Sequence, residues 1–467
     1  MKLAQKDLTV GTPWKVLLLF SLPIFLGNLV QMAYIWLDGI FVGALGESQL
    51  AAIGASANII YPATVFAQGL PIGLGNYTSQ LFGAKDENGV RRSYATSIVL
   101  NLVAGLILTV ATVLLVPAFL KAGNLTPGTD VYEYSMVYMY VMLGGLLGIF
   151  FLNFYLNFLR AIGDASMQFW IIAIYTVINI FFDWILIPVA HLGVMGSALA
   201  YVISTVLISL ISMVWVYFKY PNLRLKKTDF KMDWGFIQKH LRIALPLAAQ
   251  FSILAIGVMI MQGAVDSYGQ AAINGYYAGS KIDNLLCTFI IAYGYSLGAY
   301  CGQNYGAKQY KRVRDGVTQS FVVWGIQTAI LMLVTFLVKD KAASFFLASP
   351  DADTIEYCRI YLYWDIAGYG LLSLIYLGRN ALQGIGKPLI SFISGISEFV
   401  GRVLGSLVFV IPFGAVAALG AQSMAWMIAG IINLIGLIIY IYANPLYKKN
   451  EPLEQAKLAQ KDSSIVK

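Results

Sequence analysis

Between positions 16 and 441 the chain repeatedly runs for about 20 mostly apolar residues before a short polar break, the length a helix needs to cross a bilayer. Twelve such runs can be drawn. They are continuous and rich in Leu, Ala, Ile and Met, which excludes the ten-residue alternating segments of an outer-membrane barrel. With 59% hydrophobic and 12% charged residues, there is too little polar surface to clothe a soluble globule. The expected fold class is therefore an all-α polytopic membrane protein. The first run, 16–43, is longer than a signal-peptide core and carries Gln31 and Asp38, so it reads as a retained first span.

The formal charge of +8 has a topological explanation. If the N-terminus is cytoplasmic, Lys and Arg crowd the inner loops, including Arg160, Arg379 and the basic stretch 219–242, while the outer loops hold only Lys121, Lys339 and Lys341. The positive-inside rule then puts both termini in the cytoplasm, and the cell membrane is the expected location. Membrane lipids are the expected surroundings and nucleic acid is not an expected partner. Cys287, Cys301 and Cys358 have no CxxC spacing and read as packing residues; His191 and His240 lie far apart in sequence, which disfavours a metal site.

The second half of the sequence repeats the first at an offset of 223 residues, the separation of Pro23 from Pro246. The same register pairs Gln80, Gly83, Ala84 and Lys85 with Gln303, Gly306, Ala307 and Lys308, and lays NFLRAIG at 157–163 on NALQGIG at 380–386. Six spans per unit make the copies parallel, related by an axis along the membrane normal. The expected organisation is an N-terminal six-helix lobe at 11–218, a cytoplasmic linker at 219–242, a C-terminal lobe at 243–445 and a cytoplasmic tail at 446–467, in a monomer. The linker is long enough to join the lobes without fixing their angle, which suits rocking of one bundle against the other with a solute path between them.

An ionisable side chain at the bilayer centre costs about 2.5 to 3.5 kcal/mol on insertion scales and needs a partner or a purpose. Asp38, Tyr34 and Gln31 fall at helical spacing on one face of the first span, with Asn28 extending the stripe, and Asn179 and Asp183 are one turn apart on the fifth. Carboxylates, amides and hydroxyls converging there are hard oxygen ligands, suited to a proton or a sodium ion at Asp38, Asn179 and Asp183. The alternative for Asp38 is a structural helix-helix hydrogen bond, and for Asp183 a cap or a contact with water. The second half has Met261 opposite Asp38 and Ser406 opposite Asp183, so the lobes have diverged chemically. It carries instead Asp365 on the tenth span and Glu398 four residues before Arg402 on the eleventh, the favourable order for a structural ion pair. Lys281 and Asp283, two residues apart, read as separate local packing. Pro23, about four turns before Asp38, marks either a static kink or a bending point.

The segments WLDGIFVGALGESQLAAIG, SQLFGAKD, NFLRAIGDA, NIFFDWILIP and LGVMGSALA, in this order, resemble the multidrug and toxic compound extrusion (MATE) family over about residues 11–445. The resemblance implies a twelve-helix, two-lobed exporter of drugs and organic cations, exchanging them for protons or sodium ions, with no cofactor. It also implies that Gln31, Tyr34, Asp38, Asn179 and Asp183 form a cation-coupling site, with Asn157 a polar member of the same pocket. Where several relatives place a threonine on the sixth helix this chain has Tyr201, which makes the sodium reading less secure than the proton one. Aromatic residues suit a cavity for lipophilic cations, and Tyr34, Phe154, Tyr155, Tyr201 and Asp365 are candidate substrate contacts. A flippase or exporter of a lipid-linked amphiphile is the alternative; it calls for a strongly basic central cavity, whereas the cationic residues here are largely confined to cytoplasmic loops, with Lys281, Arg359 and Arg402 in or at the ends of spans. No HExxH, GxSxG or Walker sequence points to an enzyme.

Overall fold

The computed structural model describes residues 6–231 and 233–448; most of the basic tail assigned to 446–467 and the N-terminal Lys2 lie outside the described residues. The spans are α1 (Pro13–Gly43), α2 (Glu47–Gly83), α3 (Glu87–Leu114), α4 (Asp130–Gly144 and Leu146–Ala161), α5 (Ala165–Trp184), α6 (Gly193–Lys219), α7 (Trp234–Asp266), α8 (Gln270–Gly306), α9 (Tyr310–Val338), α10 (Ala352–Gly384), α11 (Pro388–Val403) and α12 (Ala415–Leu437). Eleven are long and apolar enough to cross a membrane alone, and α4 crosses as a pair of helices bent by 45°. Twelve spans in a multi-pass membrane protein result, as the apolar runs predict.

Helix starts follow local chemistry. Asp86, Asp164, Asp233 and Asp351 cap α3, α5, α7 and α10, each accepting a hydrogen bond from a backbone N–H three residues on. Pro13 and Pro388 occupy the first turn of α1 and α11, where a missing N–H costs nothing. At their far ends α5 and α11 each widen into a π-helical turn, Ile185–Val189 and Leu404–Val408.

The duplication is built into the backbone. Gly46 and Gly269, Lys85 and Lys308, and Gly163 and Gly386 are repeat mates, and each pair shares the left-handed region, with φ of 103° and 88°, 57° and 59°, 84° and 75°. The lobes meet through α1 against α8, α2 against α7 and α2 against α8, a set that maps onto itself under the repeat. Close approach needs glycine: a Cβ on Gly83 would strike the carbonyl of Gln303, and one on Gly306 the carbonyl of Gln80. Between these glycines Gln80 Nε2 donates to Gly384 O at 2.7 Å and Gln303 Nε2 donates to Ala161 O at 2.9 Å.

Helix α8 is the inner column, with 72% of its apolar window buried, whereas the windows of α3 and α9 are 22% and 17% buried and face lipid. The segment before α1 straps both lobes. Lys6 N–H donates to Gly163 O at 3.0 Å, and the fully buried Leu8 receives Gln303 Oε1 on its N–H at 3.0 Å and Asn304 Nδ2 on its carbonyl at 3.2 Å. The linker is likewise held. Arg91 pairs with the buried Asp229 at 2.8 Å and Arg92 with Asp233 at 2.7 Å, so it docks on α3.

Two basic residues counted with the loops are not loop residues. Arg160 occupies the last turn of α4 and Arg379 the turn before the last of α10, 7% and 8% exposed, because the helices continue past them before breaking at Gly163 and Gly386.

Candidate functional site

Because α1 packs along α5, the two polar stripes of the N-terminal lobe converge and Asp38 faces Asp183. Asp183 and Asn179 are 1% and 0% exposed, yet both carboxylate oxygens of Asp183 and both amide atoms of Asn179 lack a hydrogen-bond partner among the described residues. Tyr34, Tyr138, Tyr175 and Tyr201 surround the pair. The Tyr34 and Tyr175 rings meet edge-on with centroids 5.9 Å apart, and Tyr175 and Tyr201 at 6.3 Å. Neither acid pairs with a cationic side chain among the described residues. Two facing acids, Asp183 fully buried and Asp38 partly so, favour a positive charge between them. A proton supplies it, and so does a small cation, for which the carboxylate and amide oxygens are the right donors.

A second acid pair lies in the C-terminal lobe, and the sequence did not reveal it. Asp283 of α8 and Asp365 of α10 are neighbours, 7% and 0% exposed, among Tyr276, Tyr361 and Tyr369. Asp283 accepts from Cys287 Sγ at 3.1 Å and Asp365 from Ser423 Oγ at 3.3 Å, while the other Asp365 oxygen is unpartnered among the described residues. The acids occupy positions that the repeat does not match to Asp38 and Asp183, which is why a register comparison misses them. Glu398 does approach Arg402, at 3.6 Å, but Arg379 also donates to it, so the expected pair is a buried trio.

Between the lobes lies a cavity of about 460 Å³, lined by α1, α2, α4, α5 and α6 of the first lobe and by α8 of the second. Gln31, Asn157, Tyr175 and Tyr201 are on its wall; Asp38 and Asp183 are not. Tyr175 therefore borders both the acid cluster and the cavity, with Tyr201 beside it on the cavity wall. Asn157 is removed from the acids: its Nδ2 donates to Asn153 O at 2.7 Å and its Oδ1 accepts from Arg160. Phe154 and Tyr155 lie in the lobe interior against Tyr94 and Phe158, and neither lines the cavity. Asp365 is likewise remote from it. Lys281, placed in a span by the sequence, lines it, and so does Arg160, which the sequence counted with a cytoplasmic loop.

The family model for MatE matches twice, at residues 23–185 and 246–408, a repeat in the same register of 223 residues. The chain belongs to the MATE family of membrane transporters. Among its relatives, the probable multidrug resistance protein YpnP of Bacillus subtilis is 25% identical over 398 residues, covering 84% of this chain and 87% of YpnP. A FAD transporter of Shewanella oneidensis is 24% identical over 398 residues, covering 83% and 85%. A MOP-superfamily transporter from Pyrococcus furiosus superposes with a TM-score of 0.86 over 95% of this chain and 98% of its own, at 22% identity, and so shares the MATE fold. Like other members of the family, the protein is a transporter and not an enzyme.

Proposed function

We propose that the protein is a secondary active multidrug exporter, moving drug-sized organic compounds through the interlobe cavity by alternating access in exchange for protons or sodium ions. The observation that carries this reading is the shared wall: Tyr175 lies next to the Asp38 and Asp183 cluster, Tyr201 packs edge-on against Tyr175, and both line the cavity. Loading a cation between the two acids changes the charge behind that wall, and a ligand that binds the two wall positions unequally is then released in one of them. The multidrug resistance relative supports the class of cargo. On this reading the protein works as a monomer in the cell membrane with both termini cytoplasmic, and the lobes in this structure meet at the cytoplasmic end.

A test is efflux of a fluorescent dye from proteoliposomes under independently imposed proton and sodium gradients. Asp38→Asn and Asp183→Asn should each lower gradient-driven efflux by more than about tenfold while the dye still binds, since a neutral amide cannot take up the coupling charge. Full efflux by Asp38→Asn would remove the acid pair as the coupling site. The gradient that drives the native chain identifies the ion.

A second reading, export or flipping of an amphiphile bearing a charged head, is favoured by one observation, the basic side chains Arg160 and Lys281 on the cavity wall. The FAD transporter among the relatives is in keeping with it.

A further inference from the structure

Helix α7 is 33 residues long, about 50 Å at 1.5 Å per residue against a hydrocarbon core of about 30 Å, so about 10 Å of it extends past each side of that core. Its first turns carry two unlike faces. Phe236 and His240 turn inward, where the His240 ring meets Tyr77 edge-on with centroids 4.6 Å apart and its Nε2 lies 2.8 Å from Ser93 Oγ. On the other face Trp234, Gln238, Lys239, Arg242, Leu245 and Pro246 line an open groove of about 750 Å³. Trp234 and Leu245 are 70% and 49% exposed there. Arg242 lies about 12 Å along the helix from Trp234, at the edge of the core, with Lys239 a turn shallower and Leu245 a turn deeper. Lys239 and Arg242 are exposed, and their spacing of three residues puts the Cβ atoms about 5 to 6 Å apart, close enough for both side chains to reach one phosphate. Neither is in an ion pair, and no Asp or Glu lines the groove, among the described residues; the neighbouring Asp233 is engaged by Arg92.

Two comparisons within the chain set this groove apart. The repeat mates of Lys239 and Arg242 are Val16 and Leu19 of α1, and Leu19 is 62% exposed, so the fold itself asks for no charge at this place. The apolar groove on α6, lined by Trp215, Phe218 and Lys219, has its lysine neutralised by Asp164 at 2.8 Å. Pro246 adds an acceptor: having no N–H, it leaves the Arg242 carbonyl without its helical partner, between two residues that line the groove. We propose that the groove binds one anionic phospholipid from the leaflet on the linker side, the cytoplasmic leaflet in the orientation proposed above. Its phosphate is held between Lys239 and Arg242 with Gln238 as a further donor, a head-group hydroxyl donates to the Arg242 carbonyl, and an acyl chain runs over Leu245 and Pro246. Trp234 stands at head-group depth, where an indole is at home. An anion together with a hydroxyl donor is the chemistry of phosphatidylglycerol. The site lies outside the interlobe cavity and does not depend on what that cavity carries.

The test is native mass spectrometry of the full-length protein in detergent, titrated with phosphatidylglycerol, phosphatidylcholine and phosphatidylmethanol of identical acyl chains. Phosphatidylglycerol should bind about tenfold or more tighter than phosphatidylcholine, and this preference should fall to within about threefold in Lys239→Gln/Arg242→Gln. Lys308→Gln/Lys311→Gln is the charge-matched control: it removes two exposed cations, also three residues apart, from the turn between α8 and α9 at the same end of the protein, and should leave the preference in place. An equal loss in the control would show a diffuse attraction to basic loops and overturn the site. Equal binding of phosphatidylglycerol and phosphatidylcholine by the native chain, a comparison that needs no variant, overturns it as well. Phosphatidylmethanol carries the same single charge without the hydroxyls and should bind more weakly than phosphatidylglycerol; equal binding of these two keeps the phosphate site and overturns the contact with the Arg242 carbonyl.

Discussion

Gln80 and Gln303 make two matching hydrogen bonds from opposite lobes: each side-chain amide donates to the carbonyl that ends the partner lobe's fourth span, Gly384 for Gln80 and Ala161 for Gln303. The four residues are two repeat pairs, and Gly83 and Gly306 beside them permit the approach. This crossing and the Leu8 strap hold the lobes together at one end, so any state open at that end must break both.

The native Cys301, fully buried beside Gly384, reports on this crossing. In a Cys287→Ala/Cys358→Ala background, Cys301 should react slowly with a charged thiol reagent, and Gln80→Ala/Gln303→Ala should speed it. Two hydrogen bonds at about 0.5 to 1.5 kcal/mol each give a shift of roughly 5- to 160-fold toward the open state. Unchanged labelling would mean that these bonds do not hold the end closed.

Glu398 is the only acid of a trio whose two guanidinium groups are, like it, less than 10% exposed. Glu398→Gln leaves both arginines without a counter-charge and should cost about 3 to 5 kcal/mol, read as a fall in thermal stability in detergent. Adding Arg379→Gln restores the net charge and should recover part of the loss. A single variant as stable as the native chain would show that the trio contributes nothing.

Asp233 ties the linker to α3 and caps α7. The backbone N–H of Phe236, and then the side chain of Arg92, hold its carboxyl below the usual carboxylate range. A group whose folded value lies below its unfolded one stabilises at higher pH, and this contribution disappears as pH falls below about 4 through the folded value. Hydrogen exchange at residues 234–236, corrected for intrinsic rate, should therefore be faster in Asp233→Asn than in the native chain at pH 7, and the difference should shrink progressively as pH falls below about 4. Equal exchange at pH 7 would remove the carboxylate as the anchor.

The fold was readable because its signals are local or periodic. Apolar run length sets the twelve spans, and the duplicated QxxGAK and NxLxxIG segments carry the pseudo-twofold relation, since they build the crossing and the breaks after the fourth and tenth spans. The stripe from Gln31 to Asp38 and the Asn179 and Asp183 step were legible as helical spacing, and the packing of α1 on α5 joins them. What stayed hidden depends on which way a helix is turned. Arg160 in the last turn of a span reads identically whether it reaches for a loop or turns into a cavity. Asp283 and Asp365 lie on different helices at unmatched repeat positions, so nothing local links them. Phe154 and Tyr155 show the same limit for aromatics, whose composition does not distinguish a lobe interior from a cavity wall.

The reciprocity of the Gln80 and Gln303 contacts bears on the ancestry of the chain. A single six-helix half set against a second copy of itself would form both hydrogen bonds at once, the isologous geometry of a symmetric dimer. Joining two copies by the linker kept that seam and released everything away from it from the requirement of being identical, and it is there, in the membrane carboxylates, that the halves now differ.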